Sequence, residues 1–349
     1  MPLTPPELLF QIESDIMRNI ISELQVGKAT PARWKASRLH AMGKLNTANV
    51  NLLKKYETLL NTGTAAEIKQ AQTDALYRMD TIYQKAVPDL APPINKISEA
   101  TQKVTNAFIT QGGKDLNYTR QSLLHGANKI YRETIEQASF KYIQGVTTLD
   151  QALKETCTKW ISQGSVAIKD AAGRNWSPES YSNMVLRTNS RQVTTQVSLE
   201  RNKEWGNDLI EISSHIGARE KCAPYQGHIY TTGRSKKYPS LSSTSYGEPD
   251  GLAGINCRHD FYPYIPGITP KTFDPMPFNE KEYNLSQAQR HNEVNIRNAK
   301  RKLALQKQNG DIEGIKRATK TVKADQANMR GFIDKTGRTR HYNRERIFT

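Results

Sequence analysis

The chain has 349 residues and a formal charge of +16, from 50 Lys and Arg against 34 Asp and Glu. At roughly 150 residues per domain this length excludes a lone small module and points to about two units. With 36% hydrophobic residues, 24% charged residues and a mean hydropathy of −0.70, the composition predicts long exposed helices around a modest core, and the positive excess favours a polyanionic partner such as nucleic acid or an acidic protein surface.

The N-terminal part reads as successive helices. Thr4 and Glu7 form a capping-box pattern with Pro5 and Pro6 in the first turn, and Leu8, Ile12, Ile16, Ile20 and Leu24 recur every four residues until Gly27. Thr30-Pro31 opens a second helix that is predicted to end at Gly63, where Thr64 and Glu67 form a further capping box for a third. Val87-Pro88 and Ala91-Pro92-Pro93 interrupt the pattern, and further helices are predicted near 94–110, 119–144 and 148–163, divided by Gly112-Gly113 and Gly145. A helix over about 178–205 closes at Gly206, and Leu209–Ser213 alternates as a strand does. From His215 to Gly267 the chain is rich in Gly, Pro, Ser and Tyr, with short strands predicted near Ile229-Tyr230 and Phe261-Tyr262. Pro263, Pro266, Pro270, Pro275 and Pro277 form an extended connector, because each fixes φ and removes a backbone donor. Two helices then follow, divided at Asn309-Gly310-Asp311, and the arginine-rich stretch from Gly331 to Thr349 is expected to order only against a partner.

The predicted class is α+β, predominantly α. It comprises an elongated helical region over 1–172, a compact turn-rich α+β module over 173–267, a proline-rich connector over 268–279 and a basic helical tail over 280–349. Net charge is +5 over 1–184, +2 over 185–279 and +9 over 280–349. Phosphate contact therefore belongs to the C-terminal helices, where Arg290, Arg297, Lys300, Arg301, Lys302, Lys316, Arg317, Lys320 and Lys323 could neutralise a DNA backbone without reading sequence. Aromatic residues are few there, which fits stacking on single-stranded bases poorly. The competing reading is a solvated face or a surface for an acidic protein.

No window approaches the roughly 18 consecutive apolar residues of a membrane span, and the first residues lack the basic and apolar stretches of a signal peptide. A soluble protein made in a cytosol is expected. The three cysteines are too few for a disulfide scaffold. Cys222, His228, Cys257 and His259 make up a complete tetrahedral donor set for zinc, with His215 as a substitute, although their spacing departs from the usual Cys separations. The alternatives are buried small cysteines with histidines bonded to loop carbonyls, or a Cys257 thiol nucleophile served by His259. Ser243-Thr244-Ser245 with Glu248 and Asp250 is similar to elements of ADP-ribosyltransferases, but those stand far apart in that family and here fall within eight residues, a chance arrangement. Gly247, Gly251, Gly254 and Gly267 form no phosphate-loop pattern and are read as positive-φ turn residues.

The run Arg219-Glu220-Lys221-Cys222-Ala223-Pro224-Tyr225-Gln226-Gly227-His228 resembles the signature of the phage minor capsid protein 2 family, as do Tyr238-Pro239-Ser240-Leu241, Gly254-Ile255-Asn256-Cys257-Arg258-His259 and Tyr264-Ile265-Pro266-Gly267. Upstream Gly173-Arg174-x-Trp176 and downstream Gln289-Arg290 and Lys300-Arg301 extend the likeness over about 145–349. The module is more distantly similar to Mu F-like head-morphogenesis proteins, which commonly carry further cysteines where Tyr225 and His259 stand here. The resemblance implies a non-enzymatic minor head protein of a tailed phage, present in multiple copies per virion. It would be made in the bacterial cytoplasm and built into the capsid interior or near the portal, against portal or major capsid protein and packaged double-stranded DNA. The other reading is a virion-delivered nuclease or toxin-like transferase using the Cys/His module.

Overall fold

Thr4 opens the first helix as its pattern predicts, its backbone N–H donating to Glu7 Oε2 at 2.8 Å. In this computed structural model, which describes residues 3–25, 30–90, 97–145, 147–163, 168–169 and 175–347, that helix is α1, Pro5–Leu24. Its four-residue stripe is fully inside, with Ile12, Ile20 and Leu24 all at 0% exposure. The predicted stops at Gly27 and Ala91-Pro92-Pro93 and the Gly173-Arg174 motif lie outside the described residues.

Two predicted breaks are absent. α2 runs Pro31–Ala86 through Gly63, and α3 runs Glu99–Ile143 through Gly112-Gly113. One glycine in a helix interior costs about 1 kcal/mol against alanine, less than the packing on either side returns. Gly112 has a specific reason to be there: a Cβ would lie 3.0 Å from Thr64 Cγ2 and 3.4 Å from Asn189 Nδ2, so its lack of a side chain lets neighbouring helices approach. α4, Leu149–Gln163, and α5, Pro178–Glu204, follow the predicted bounds closely. Between them Ile168–Lys169 (β1) pairs antiparallel with Asn175–Trp176 (β2).

The three strands of the turn-rich region, β3 (Leu209–Ile212), β4 (Ile229–Thr231) and β5 (Phe261–Pro263), form an antiparallel sheet in the order β4-β3-β5. Ile210 sits opposite Tyr230 on one side and Pro263 on the other, so the proline falls on an edge strand. α6, Glu280–Asn309, and α7, Ile312–Thr336, divide at Gly310, whose φ of 69° an L side chain rarely adopts.

The described residues form two compact units, each assembled from separated stretches: 1–60, 116–182 and 287–349 in the first, 61–115 and 183–286 in the second. The first unit's core joins α1 to parts of α2, α3 and α4 and includes Leu305 of α6. The second packs Ile68 and Ala75 against Val193 and Val197, and builds a separate core on the sheet from Ile210, Ile212, Cys222, Leu252 and Phe261. This division differs from a linear series of arm, module and tail. Residues 280–349 are not an appendage, because Ile296, Ala299 and Leu305 are buried.

The expectation for the C-terminal stretch is likewise corrected. α7 continues to Thr336, and the following residues fold back on their own chain. Arg340 grips Glu345 through two bonds of 2.7 Å, Lys300 donates to the Glu345 carbonyl at 2.7 Å, and Gln289 donates to the Thr339 carbonyl at 2.7 Å.

Candidate functional site

Three of the four residues proposed as zinc donors converge in the second unit. Cys222 begins the short 3-10 turn Ala223–Tyr225 after β3, its N–H donating to the Arg219 carbonyl at 2.9 Å. Cys257 is delivered by a tightly wound loop. Ser245 Oγ donates to the Lys221 carbonyl at 2.9 Å and accepts from Leu252 N–H at 3.2 Å, while Lys221 spans Glu248 and Asp250 at 2.8 and 2.9 Å. Those serine and acidic side chains therefore hold the loop.

The glycines of this loop divide in their roles. Gly247 and Gly267 take the positive φ expected of them, at 85° and 76°, whereas Gly251 and Gly254 are required by crowding. A Cβ on Gly251 would lie 2.1 Å from the Ser245 carbonyl oxygen, and one on Gly254 2.2 Å from that of Glu248. Ala253 and Asn256 instead carry φ of 57°, with Asn256 immediately ahead of the buried Cys257.

The donor atoms of Cys222, Cys257 and His259 all lie within 4.8 Å of one another, and all three residues are buried. His259 Nδ1 is 3.5 Å from Cys257 Sγ. Its other ring nitrogen, Nε2, meets Gln226 Oε1 at 3.2 Å. Gln226 Nε2 donates to the Met276 carbonyl at 2.7 Å and its oxygen accepts the His215 N–H at 3.0 Å, which fixes the amide's orientation. His259 Nε2 is therefore the protonated nitrogen, and the Nδ1 lone pair faces the sulfurs. His215 packs its ring on His259 with centroids 4.5 Å apart. His228 stands apart from the group: it is exposed just ahead of β4, and its carbonyl accepts from Ile212 N–H at 3.1 Å.

The hydrogen bond between the two sulfurs splits their acidities. It pushes Cys222 up, with burial adding to the effect, and pulls Cys257 down against burial. Burial and the neighbouring His259 lower His215. A nucleophile must come within about 3–3.5 Å of the reacting atom, yet Cys222 and Cys257 are 1% and 2% exposed. The arrangement suits holding an ion or filling a core better than attacking a substrate. Gln226 was not singled out from sequence, since a glutamine in a turn carries no signal until the fold places it.

The structure sorts the predicted phosphate-binding cations into two groups. Arg301 is spent inside, 2.7 Å from the buried Glu13 carboxylate and stacked 5.1 Å over the Phe10 ring. Arg297 pairs with Glu179 at 3.0 Å, Lys300 holds a carbonyl, and Arg290 and Lys302 are half-buried on α6. Lys316, Arg317, Lys320 and Lys323, all on α7, are exposed. Lys316 and Arg317 make surface pairs with Glu313 and Asp311 at 2.8 and 3.6 Å, of a kind worth about 0–1 kcal/mol.

Comparison with known proteins adds a decisive observation. The family described as phage minor capsid protein 2 matches residues 7–334. The chain belongs to this family. A structural protein of Lactococcus phage LL-H is 27% identical over 334 residues, covering 89% of this chain and 88% of that protein. A structural protein of Lactococcus phage mv4 is 30% identical over 114 residues, 32% of this chain and 93% of that one. No solved structure matches. The family's span includes both the Cys/His group and the basic face of α7, and it reaches back through α1, well beyond the stretch where motifs resemble it. Membership makes the chain a phage structural protein, and no helix among the described residues is long and apolar enough to cross a membrane.

Proposed function

We propose that this minor capsid protein acts in assembly of a tailed-phage head, at the portal or the inner shell, and contacts packaged double-stranded DNA through α7. The observation that carries the DNA contact is the exposed face of that helix. Lys316, Lys320, Lys323 and Arg330 recur at helical spacing on one side, all exposed. They cover about 21 Å of helix axis, several base-pair steps of duplex. An apolar groove of about 550 Å³ in the first unit, lined by Ala36, Leu39, Tyr142 and Ile143 among others, supports docking on a neighbouring head protein.

The test replaces Lys316, Lys320, Lys323 and Arg330 together with glutamine and measures duplex binding against salt. With about 0.9 counterions released per phosphate contact, the slope of log affinity against log salt should fall in magnitude by about 3.6. An unchanged slope would place DNA contact elsewhere. Mass spectrometry of purified proheads and virions should find the wild-type chain in fewer copies than the major capsid protein, and its absence from both would overturn the assembly role.

A further inference from the structure

We propose that Cys222, Cys257, His259 and His215 bind one zinc ion as a closed structural site that ties the β3–β4 and β4–β5 loops of the sheet unit together. This goes beyond the capsid role and does not depend on it. Three donor atoms already lie within 4.8 Å of one another, and in a tetrahedral zinc site with sulfur at 2.3 Å and nitrogen near 2.1 Å the donors stand about 3.3–3.8 Å apart. For these three donors closure therefore needs only small side-chain movements, and His215, which lies outside that group, has to swing in to join them.

Two features separate this cluster from ordinary core packing. The first is the tautomer of His259: Gln226, itself fixed by two other bonds, takes the Nε2 proton and leaves Nδ1 unprotonated toward the sulfurs. A carbonyl partner on the far nitrogen is the usual orientation of a metal-binding imidazole. The second is His215, whose Nε2 is buried with no hydrogen-bond partner among the described residues, while its Nδ1 lies 3.4 Å from the Ile216 carbonyl. An orphaned buried lone pair requires an explanation, and a ring tilted against His259 with centroids 4.5 Å apart is the nearest further imidazole to the three donors. His228, exposed on the far end of its turn, is not a ligand. Two thiolates and two imidazoles in tetrahedral array select zinc over the harder magnesium and calcium ions.

The test uses untagged full-length protein expressed with zinc. Elemental analysis should find one zinc per chain, and cobalt exchanged into the site should give a thiolate-to-cobalt charge-transfer band and the strong visible bands of a tetrahedral ion. Cys257→Ser should abolish stoichiometric zinc. Because that buried variant could fail to fold, His215→Gln is the second arm: its ring is only half-buried, so the fold should persist while zinc affinity drops at least about tenfold. Chain purified with zinc yet free of stoichiometric metal, or a Cys222–Cys257 disulfide found by thiol counting, would overturn the site. Unchanged affinity in His215→Gln would overturn the fourth ligand.

Discussion

Burying Glu13 in the first unit raises its pKa, because desolvation disfavours the carboxylate more than the opposing pull of Arg301 restores it. The pair is nevertheless well made, with side chains 7% and 1% exposed and one bond of 2.7 Å. Removing one partner from such a pair usually costs about 3–5 kcal/mol, since the other charge is left without compensation. Arg301→Met should lose about that much in urea unfolding at neutral pH. The sign of its pH dependence follows from the raised pKa. A carboxyl that holds its proton more tightly when folded contributes stability below its unfolded pKa and loses it as pH rises through the folded value. The defect in Arg301→Met should therefore shrink toward acid pH, where Glu13 becomes neutral, and a defect that is constant with pH would remove Glu13 from the explanation.

Among the helices, glycine punctuation misled where tertiary packing prevailed. Gly63 and Gly112-Gly113 read as breaks because glycine is a poor helix former, yet both helices continue through them. Gly112 and Gly113 offer a direct comparison. An added Cβ at Gly113 meets nothing within 4 Å, so Gly113→Ala should stabilise by about 0.5–1 kcal/mol through helix propensity alone. At Gly112 the same gain is opposed by contact at 3.0 Å with Thr64, and Gly112→Ala should be neutral or destabilising in paired thermal melts. Equal gains at both positions would show that the close approach has no energetic weight. Short-range signals elsewhere were reliable: the capping box at Thr4, the αL glycine at Gly310 and the three strands are visible in sequence because each is set by local sterics or alternation. The Cys/His cluster was half legible. Residue chemistry named Cys222, Cys257 and His259, but spacing could not tell that His228 is exposed while His215 packs its ring against His259, because that depends on which way the chain turns after β3. Nor could composition separate Arg301 from Lys320, since both are cations on amphipathic helices and only the partner helix decides which one faces Glu13.

At the scale of the whole chain, charge and packing divide the C-terminal fifth between two tasks. Its net +9 is the largest share of the +16, which invites reading it as a detachable nucleic-acid arm. The burial pattern opposes that: Ile296, Ala299 and Leu305 are at 0–3% exposure, and the first unit is made from 1–60, 116–182 and 287–349 together. A chain ending at residue 279 would lose those side chains along with the Arg301 partner of Glu13. It would leave a buried carboxylate without its cation and open apolar surface on a unit whose other segments cannot close over it. Full burial of one such side chain is worth about 1.5–3 kcal/mol, so the loss of several is comparable to the entire stability of a typical domain, about 5–15 kcal/mol. The 1–279 fragment is therefore expected to be cut rapidly within 1–60 and 116–182 under limited proteolysis, while the quadruple glutamine variant of α7, which touches only exposed positions, resists like the full chain. If both resist equally, α6 is dispensable to the first unit and the C-terminal fifth is an arm after all.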